Sequence, residues 1–458
     1  IDPAVTLELE SLSRHRAIDE AIARGDSAVQ EFYKDAVIFV TGGSGFLGKH
    51  LIEKLFRYIL HKRKPDFVSR VTPVHGDITQ LRMAISDEDW YTMANEVTVI
   101  FHVAATITFD EPLRVATRTN VRGTMQALLL GKDCKKLKSF VHVSTAYAHA
   151  TRSRIGGSVR EDFYDSPGDP RTMVDLVEQL SEEKLAAIKP KLIEDWPNTY
   201  AYTKALAEEV VRTMSGDLPI CIVRPAIVIA ANLEPNPGWL DMSSVYGPSG
   251  LLLGSGLGVM HTFMAEDGAK IDLIPVDYVN NATIVAGWAT AEHRKNGHND
   301  IKIYTVSPAR NPITWRELMN IMLTKVYYCA SSPKSVWYTF VHHTSRWWVF
   351  CLLTWLLHFI PGYLVDGVLT ILVRHLYIMF MFYQDLYNFD VGKMDWTQQM
   401  LTWAIGLRKY IIRDGLQGTE YAKKKQRVCL HLTSCDKPKT IQFSIYRLSI
   451  FVSAYIYF

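Results

Sequence analysis

Five short apolar runs mark the first half of the chain: VIFV at 37–40, VTPV at 71–74, VTVIFHVAA at 97–105, FVHVST at 140–145 and ICIVRP at 220–225. Between them apolar residues recur at helical spacing, as in Phe46, Leu47, Leu51, Ile52, Leu55 and Phe56. Continuous apolar runs are strands covered on both faces, and their alternation with amphipathic segments predicts a doubly wound α/β fold built on a parallel sheet. Ahead of the first run, residues 1–35 are polar and helical in pattern, with Leu7, Leu9 and Leu12 in a charged background, and form a lead-in.

The rhythm breaks at Asn232–Gly258, where prolines and glycines predict a loop region over the carboxyl ends of the strands, the place where such sheets hold ligands. From about Ser331 the chain fills with tryptophan, phenylalanine and leucine. Its apolar part, Trp347 to Leu357, is shorter than the ~20 residues that span a bilayer, which leaves buried helices of a second domain or a membrane-embedded hairpin. The last 18 residues, Ile441 to Phe458, carry one charge, Arg447, and follow the cations Lys423, Lys424, Lys425 and Arg427. That pattern predicts a C-terminal membrane anchor with its basic side in the cytosol. The domains expected are therefore 1–35, 36–330, 331–415 and 416–458.

Composition narrows the partners. A formal net charge of +3 gives no basic field for nucleic acid. The six cysteines (Cys134, Cys221, Cys329, Cys351, Cys429 and Cys435) form no CxxC pair, so neither a disulfide framework nor a metal site is expected, and reduced thiols in a cytosol-facing protein fit them. The N-terminal residues alternate charges without an apolar run, so no secretory signal is expected there.

Two patterns carry chemistry. The first is TGGSGFLG, Thr41, Gly42, Gly43, Ser44, Gly45, Phe46, Leu47 and Gly48, set between a strand and a helix. Small residues there let the backbone approach a pyrophosphate, and the helix N-terminus offers free N–H groups and a positive dipole end. The second is Tyr200 and Lys204, four apart and so on one helix face. The lysine can lower the tyrosine hydroxyl's pKa so that it gives a proton to a carbonyl oxygen as hydride arrives at carbon. Ser144 and Thr145 end a buried strand, and one of these hydroxyls can share the substrate oxygen with Tyr200.

The chain resembles the extended short-chain dehydrogenase/reductases and, within them, the fatty acyl-CoA reductases. The residues that carry the resemblance are TGGSGFLGKHLIEKL, HGDIT, VIFHVAATITFDEPL, NVRGT, FVHVSTAYAH, DWPNTYAYTKALAE, IVRPAIV, EPNPGWLD and IDLIPVDYVNN, with WLLHFIPGYLVDGVL and FDVGKMDW resembling the family's C-terminal domain. The resemblance implies a Rossmann-type sheet followed by a mainly helical domain. It also implies NADPH-dependent four-electron reduction of a long-chain fatty acyl-CoA to a primary alcohol, CoA leaving between two hydride deliveries. Implied too is an intracellular membrane, of the endoplasmic reticulum or a peroxisome, with the catalytic domain facing the cytosol and membrane lipid as a partner; the oligomeric state stays open. By the same resemblance Asp77 and Ile78 lie by the adenine, although Asp77 can equally cap a helix. Ala104 and Ala105 pass close to the cofactor or simply permit packing, Asn120 holds a helix distortion near Lys204 or acts as a cap, and Pro225 and Ile227 lie near the nicotinamide. Arg224 sits beside them, or is part of a structural turn.

Two departures stand out. HKRKPDFVSR, between Leu60 and Val71, leaves little room for the second strand and the ribose-reading residue of a dinucleotide fold. Strands one and three are then expected to pair directly or leave a gap, and only His61, Lys62, Arg63 or Lys64 remain to meet a 2′-phosphate. A second shortening falls near Phe380 to Asn388. A sterol or nucleotide-sugar oxidoreductase of the same superfamily, or an inert membrane lipid-binding variant, are the alternative readings.

Overall fold

In the computed structural model, residues 1–24, 27–60, 69–363 and 394–434 are described. Its centre is a five-stranded parallel sheet of β1 (Ile38–Thr41), β2 (Val99–His102), β3 (Ser139–Val143), β4 (Ile220–Pro225) and β5 (Lys302–Val306), in that spatial order. The register runs Ile38 opposite Val99, His102 opposite His142 and Phe140 opposite Ile220. Alternate side chains enter two separate cores. Val99, Phe101, Val141, Cys221 and Val223 pack with Leu51, Leu55 and Ile284 on one face, while Ile100, Phe140 and Ile222 pack with Leu128, Leu206 and Val210 on the other. Burial on both faces is why these runs show no polar alternation.

The helices that matter below are α1 (Pro3–Arg24), α2 (Phe46–Leu60), α3 (Gly123–Asp133), α4 (Thr199–Met214), α5 (Gly247–Leu257), α6 (Val276–Lys295), α7 (Trp347–Thr354), α8 (Trp396–Gly406) and α9 (Thr419–Ser434). Helices α2 and α6 cover one face, α3 and α4 the other. The N-terminal lead-in docks onto the C-terminal part of the chain: Asp2 accepts hydrogen bonds from Thr419 N (2.9 Å) and Oγ1 (2.6 Å), and Glu8 pairs with Lys409. A third core joins Leu251, Leu253 and Leu257 of α5 and Trp315 to Trp396, Met400 and Trp403 of α8.

Four expectations change. VTPV at 71–74 is not a strand: Thr72 and Pro73 are exposed, and among the described residues no strand pairs with the run. Strands one and three of the sequence pattern therefore do not pair; β1 pairs with β2 and is the edge of the described sheet. The Asn232–Gly258 region is only partly loop, because Pro248 opens α5 and three consecutive leucines anchor it in the core. Apolar Trp347 to Leu357 is helical but not buried: no residue of α7 or of its continuation Trp355–Phe359 is buried, and Trp347 is 66% exposed. Strand β5 was not among the five runs, being short and half polar.

No helix among the described residues is long and apolar enough to cross a membrane. The Ile441–Phe458 segment, the shortening near Phe380–Asn388 and the cations at 61–64 all lie outside the described residues.

Candidate active site

The glycine turn is built against the end of β2. Gly42 has φ +74°, and a Cβ there would stand 2.7 Å from Ala104 N; one on Gly48 would stand 2.1 Å from Gly42 O. Glycine is therefore required at both positions, and the Ala104 backbone passes directly against Gly42. The Thr41 hydroxyl fixes the two strand ends together, accepting from Val103 N and Ala104 N (both 3.2 Å) and pairing with His102 Nδ1 (2.8 Å). Ser44 and Gly45 remain exposed at the N-terminus of α2. This open cradle, with no room for side chains behind it, fits a dinucleotide pyrophosphate.

A second wall of the cradle comes from EPNPGWLD. Trp239 stacks on Phe46 with ring centroids 5.4 Å apart, Asp241 pairs with Lys49 (2.8 Å), and Glu234 pairs with buried Lys54. The backbone of this segment is held in turn by Asp277, whose carboxylate accepts from Asn232 N (3.0 Å) and Leu233 N (2.8 Å).

Asn198 caps α4 by accepting from Ala201 N at 2.8 Å, so the helix begins just before Tyr200. Tyr200 is half-buried at the mouth, whereas Lys204 and Glu208, one and two turns on, are buried beneath it. Burial raises the Tyr200 hydroxyl above its ordinary range and nearby Thr145 opposes the rise; Lys204, whose ammonium is turned to Val143 O, does not produce the lowering expected from its spacing. Lys204 Nζ donates to Val143 O at 2.9 Å; burial brings its ammonium down to about 8 against the pull of Glu208.

The two strand-end hydroxyls part company here. Ser144 Oγ donates to Glu208 Oε1 (2.5 Å), away from the mouth, while Thr145 Oγ1, 3.5 Å from Pro225 O, lies near enough to Tyr200 to act on its hydroxyl. Glu208 also accepts from Arg224 Nε (2.9 Å), an Arg224 terminal nitrogen (2.6 Å) and His149 Nε2 (3.0 Å). Burial alone would raise this carboxyl, but these partners hold it at about 2. Arg224 further donates to Arg160 O and Asp162 O (both 3.0 Å), so it serves this buried network as a structural residue.

Asn120 lies in a π-helical turn, Thr117–Arg122. Its amide clamps Thr106, accepting from Thr106 N (3.0 Å) and donating to Thr106 O (3.2 Å), and reaches Thr203 Oγ1 (3.0 Å) beside Lys204. Asp77 is exposed and closes its own turn, Oδ1 accepting from Thr79 N (2.9 Å) and Oγ1 (2.8 Å), and Ile78 packs against Gly123. Ala105 is half-buried just past Ala104. Pro225 O accepts from Ala146 N (2.9 Å), and Ile227 N donates to Asp272 O (2.9 Å). Sequence reasoning missed Glu208, although its spacing from Tyr200 and Lys204 puts all three on one stripe of α4. It also missed Tyr147 and Asp272, which no local pattern links.

A glycine cradle at the end of β1 and a Thr–Tyr–Lys group at the end of β3, two strands away, define a nicotinamide-dependent reductase of the short-chain dehydrogenase/reductase kind. Residues 57–283 match the NAD-binding family described as male sterility protein. Over 88% of its length the chain is 32% identical to mouse fatty acyl-CoA reductase 2, covering 89% of that protein; over 93% it is 31% identical to Drosophila melanogaster fatty acyl-CoA reductase wat, covering 94%. The chain belongs to the fatty acyl-CoA reductase family. Among solved structures, the terminal reductase domain of the myxalamid biosynthetic pathway shares the fold with TM-score 0.52 at 19% identity, covering 86% of this chain and 97% of that one.

Proposed function

We propose that this protein reduces a long-chain fatty acyl-CoA to the primary alcohol with NADPH, releasing CoA. The observation that carries the reading is the nearness of Thr145 to the Tyr200 hydroxyl, over buried Lys204, in a chain of this family. NADPH, when bound, supplies the hydride for each of the two reductions. Thr41, Gly42, Gly43, Ser44, Gly45, Phe46, Leu47 and Gly48 would hold its pyrophosphate.

Thr145 and Tyr200 hold the thioester oxygen, and Tyr200 gives that oxygen a proton as the carbonyl carbon becomes tetrahedral. When the hemithioacetal collapses, the C–S bond breaks. Tyr200 then takes back the hydroxyl proton, and CoA departs as its thiolate. The aldehyde occupies the same pair of hydroxyls, and Tyr200 protonates its oxygen in the second reduction. Lys204, one turn beneath the tyrosine, would position the nicotinamide ribose when the cofactor is bound, and its positive charge would favour the phenolate formed at each proton transfer.

The preference for NADPH and the attachment to an intracellular membrane, of the endoplasmic reticulum or a peroxisome, belong to the same proposal. Exposed Trp347, Trp348, Leu352, Trp355 and Leu356 on α7 and its continuation support the membrane reading, since so large an apolar surface costs free energy in water and suits the interface of a bilayer. Vesicle flotation tests it: Trp348→Asp with Trp355→Asp should lower the bound fraction several-fold, and unchanged binding would count against that surface.

Incubation of detergent-solubilised protein with NADPH and palmitoyl-CoA, with product identification by mass spectrometry, tests the reaction. Wild type should form hexadecanol, and Tyr200→Phe should lose about 100-fold or more in kcat with NADPH affinity kept. Absence of both alcohol formation and NADPH binding would overturn the proposal in favour of an inert lipid-binding protein.

A further inference from the structure

Tyr147 stands two residues beyond Thr145 and is held at both ends. Its N–H donates to Thr145 Oγ1 (3.3 Å), and its hydroxyl donates to Asp272 Oδ2 (2.7 Å). Asp272 comes from a distant part of the chain, between strands Lys270–Ile271 and Leu273–Pro275, and is fully buried. Its carbonyl accepts from Ile227 N (2.9 Å), which ties it to the Pro225–Ile227 segment, and Pro225 O receives Ala146 N (2.9 Å). Asp272 is thus joined to the Thr145–Tyr147 stretch twice, by its side chain to Tyr147 and by its backbone, through the Pro225–Ile227 segment, to Ala146.

The choice of aspartate is costly. Its Oδ1 has no hydrogen-bond partner among the described residues, and a buried carboxyl without a cation is normally replaced by an apolar side chain. Burial pushes it up to about 8, only partly offset by Tyr147, so it is mostly neutral at pH 7 and places no negative charge where an oxyanion develops. What it does supply is a fixed acceptor for the Tyr147 hydroxyl. With Tyr147 fixed, its backbone N–H holds one lone pair of Thr145 Oγ1; the threonine hydroxyl makes only a long contact to Pro225 O (3.5 Å) and can turn from it toward Tyr200.

We propose that Asp272 is a positioning residue that acts through Tyr147 to aim the Thr145 hydroxyl at the substrate carbonyl. The inference rests on the assignment of Thr145 and Tyr200 to that carbonyl. Because Asp272 touches neither substrate nor cofactor in this role, its effect belongs in kcat and should vanish when Tyr147 can no longer transmit it.

The test uses full-length, detergent-solubilised protein, with NADPH and palmitoyl-CoA saturation curves and NADPH binding measured separately. Asp272→Leu and Tyr147→Phe should each lower kcat roughly 10- to 100-fold, while KM for palmitoyl-CoA and NADPH affinity stay within about twofold. The double variant should be no slower than the worse single one. Asp272→Asn, whose amide oxygen accepts the same hydrogen bond, should keep kcat within about threefold of wild type. Wild-type kcat in both Asp272→Leu and Tyr147→Phe, multiplicative losses in the double variant, or equal damage from Asn and Leu would overturn the role. If Asp272→Leu fails to fold, Tyr147→Phe and Asp272→Asn decide: a slow Phe variant beside an active Asn variant supports the role, and any other pairing removes it. Tyr200→Phe and Thr145→Val run in parallel. Undiminished alcohol formation in these would bring down the carbonyl assignment and the inference with it. Their inactivity beside an unaffected Asp272→Leu would remove the positioning role alone.

Discussion

The two sides of the sheet treat similar sequence very differently. At β3 and β4 every apolar run is flanked by another strand, and that paired backbone holds Lys204 through Val143 O and carries the Ser144 and Arg224 side chains that hold Glu208. On the other side β1 pairs only with β2, and VTPV, as β-branched as its counterparts, stays irregular. The difference teaches that a strand is made by its neighbour. A run with suitable residues but no strand paired to its N–H and C=O groups does not become one.

The contrast can be broken at its strongest point first. Glu208→Ala removes the partner of fully buried Arg224 and of Ser144, and should cost about 3–5 kcal/mol of unfolding free energy in urea titration. A loss under about 1 kcal/mol would mean that the paired side is no more tightly built than the edge.

Next comes pH. Lys204 is buried with its ammonium at about 8, below its ordinary 10.5. Its charge is therefore present at pH 7 and lost as pH rises through about 8, so kcat should fall about tenfold between pH 7 and 9. Asp272 gains its charge over the same range, which steepens the fall. The Lys204 contribution to stability has the opposite sign: between about 8 and 10.5 the unfolded chain binds the proton and the folded one does not, so stability gains as pH rises. A fall in rate without a fall in melting temperature would identify titration as its cause; a flat rate profile would remove Lys204's charge from the mechanism.

The smallest effect is expected on the unpaired side. Thr72→Ala touches an exposed position outside the sheet and should change stability by less than about 0.5 kcal/mol. A larger loss by the same urea titration would show that VTPV does contribute to the fold.

Much of the site was legible because it is local. The glycine turn, the Tyr200–Lys204 spacing and the Asn198 cap lie within a few residues of the groups they serve, and strand periodicity gave four of the five strands. Ser144 and Thr145 were legible as a pair but not as individuals. Their different duties depend on Glu208 and Tyr200, both on a helix more than 50 residues away. Asn120 likewise could be suspected, but its partners Thr106 and Thr203 come together only through packing of the π-helical turn against α4.

The sequence alone determined the class of fold, the glycine turn and the placing of Tyr200 and Lys204 on one helix, since hydrophobic period, glycine sterics and helical spacing act over short stretches of chain. Only the tertiary structure decided that VTPV goes unpaired, that α7 faces outward, that Ser144 turns inward to Glu208, and that Asp272 reaches Tyr147 across 125 residues. Those outcomes depend on which backbone and which polar group happen to be adjacent in space, and adjacency across a sheet is not written in any one segment.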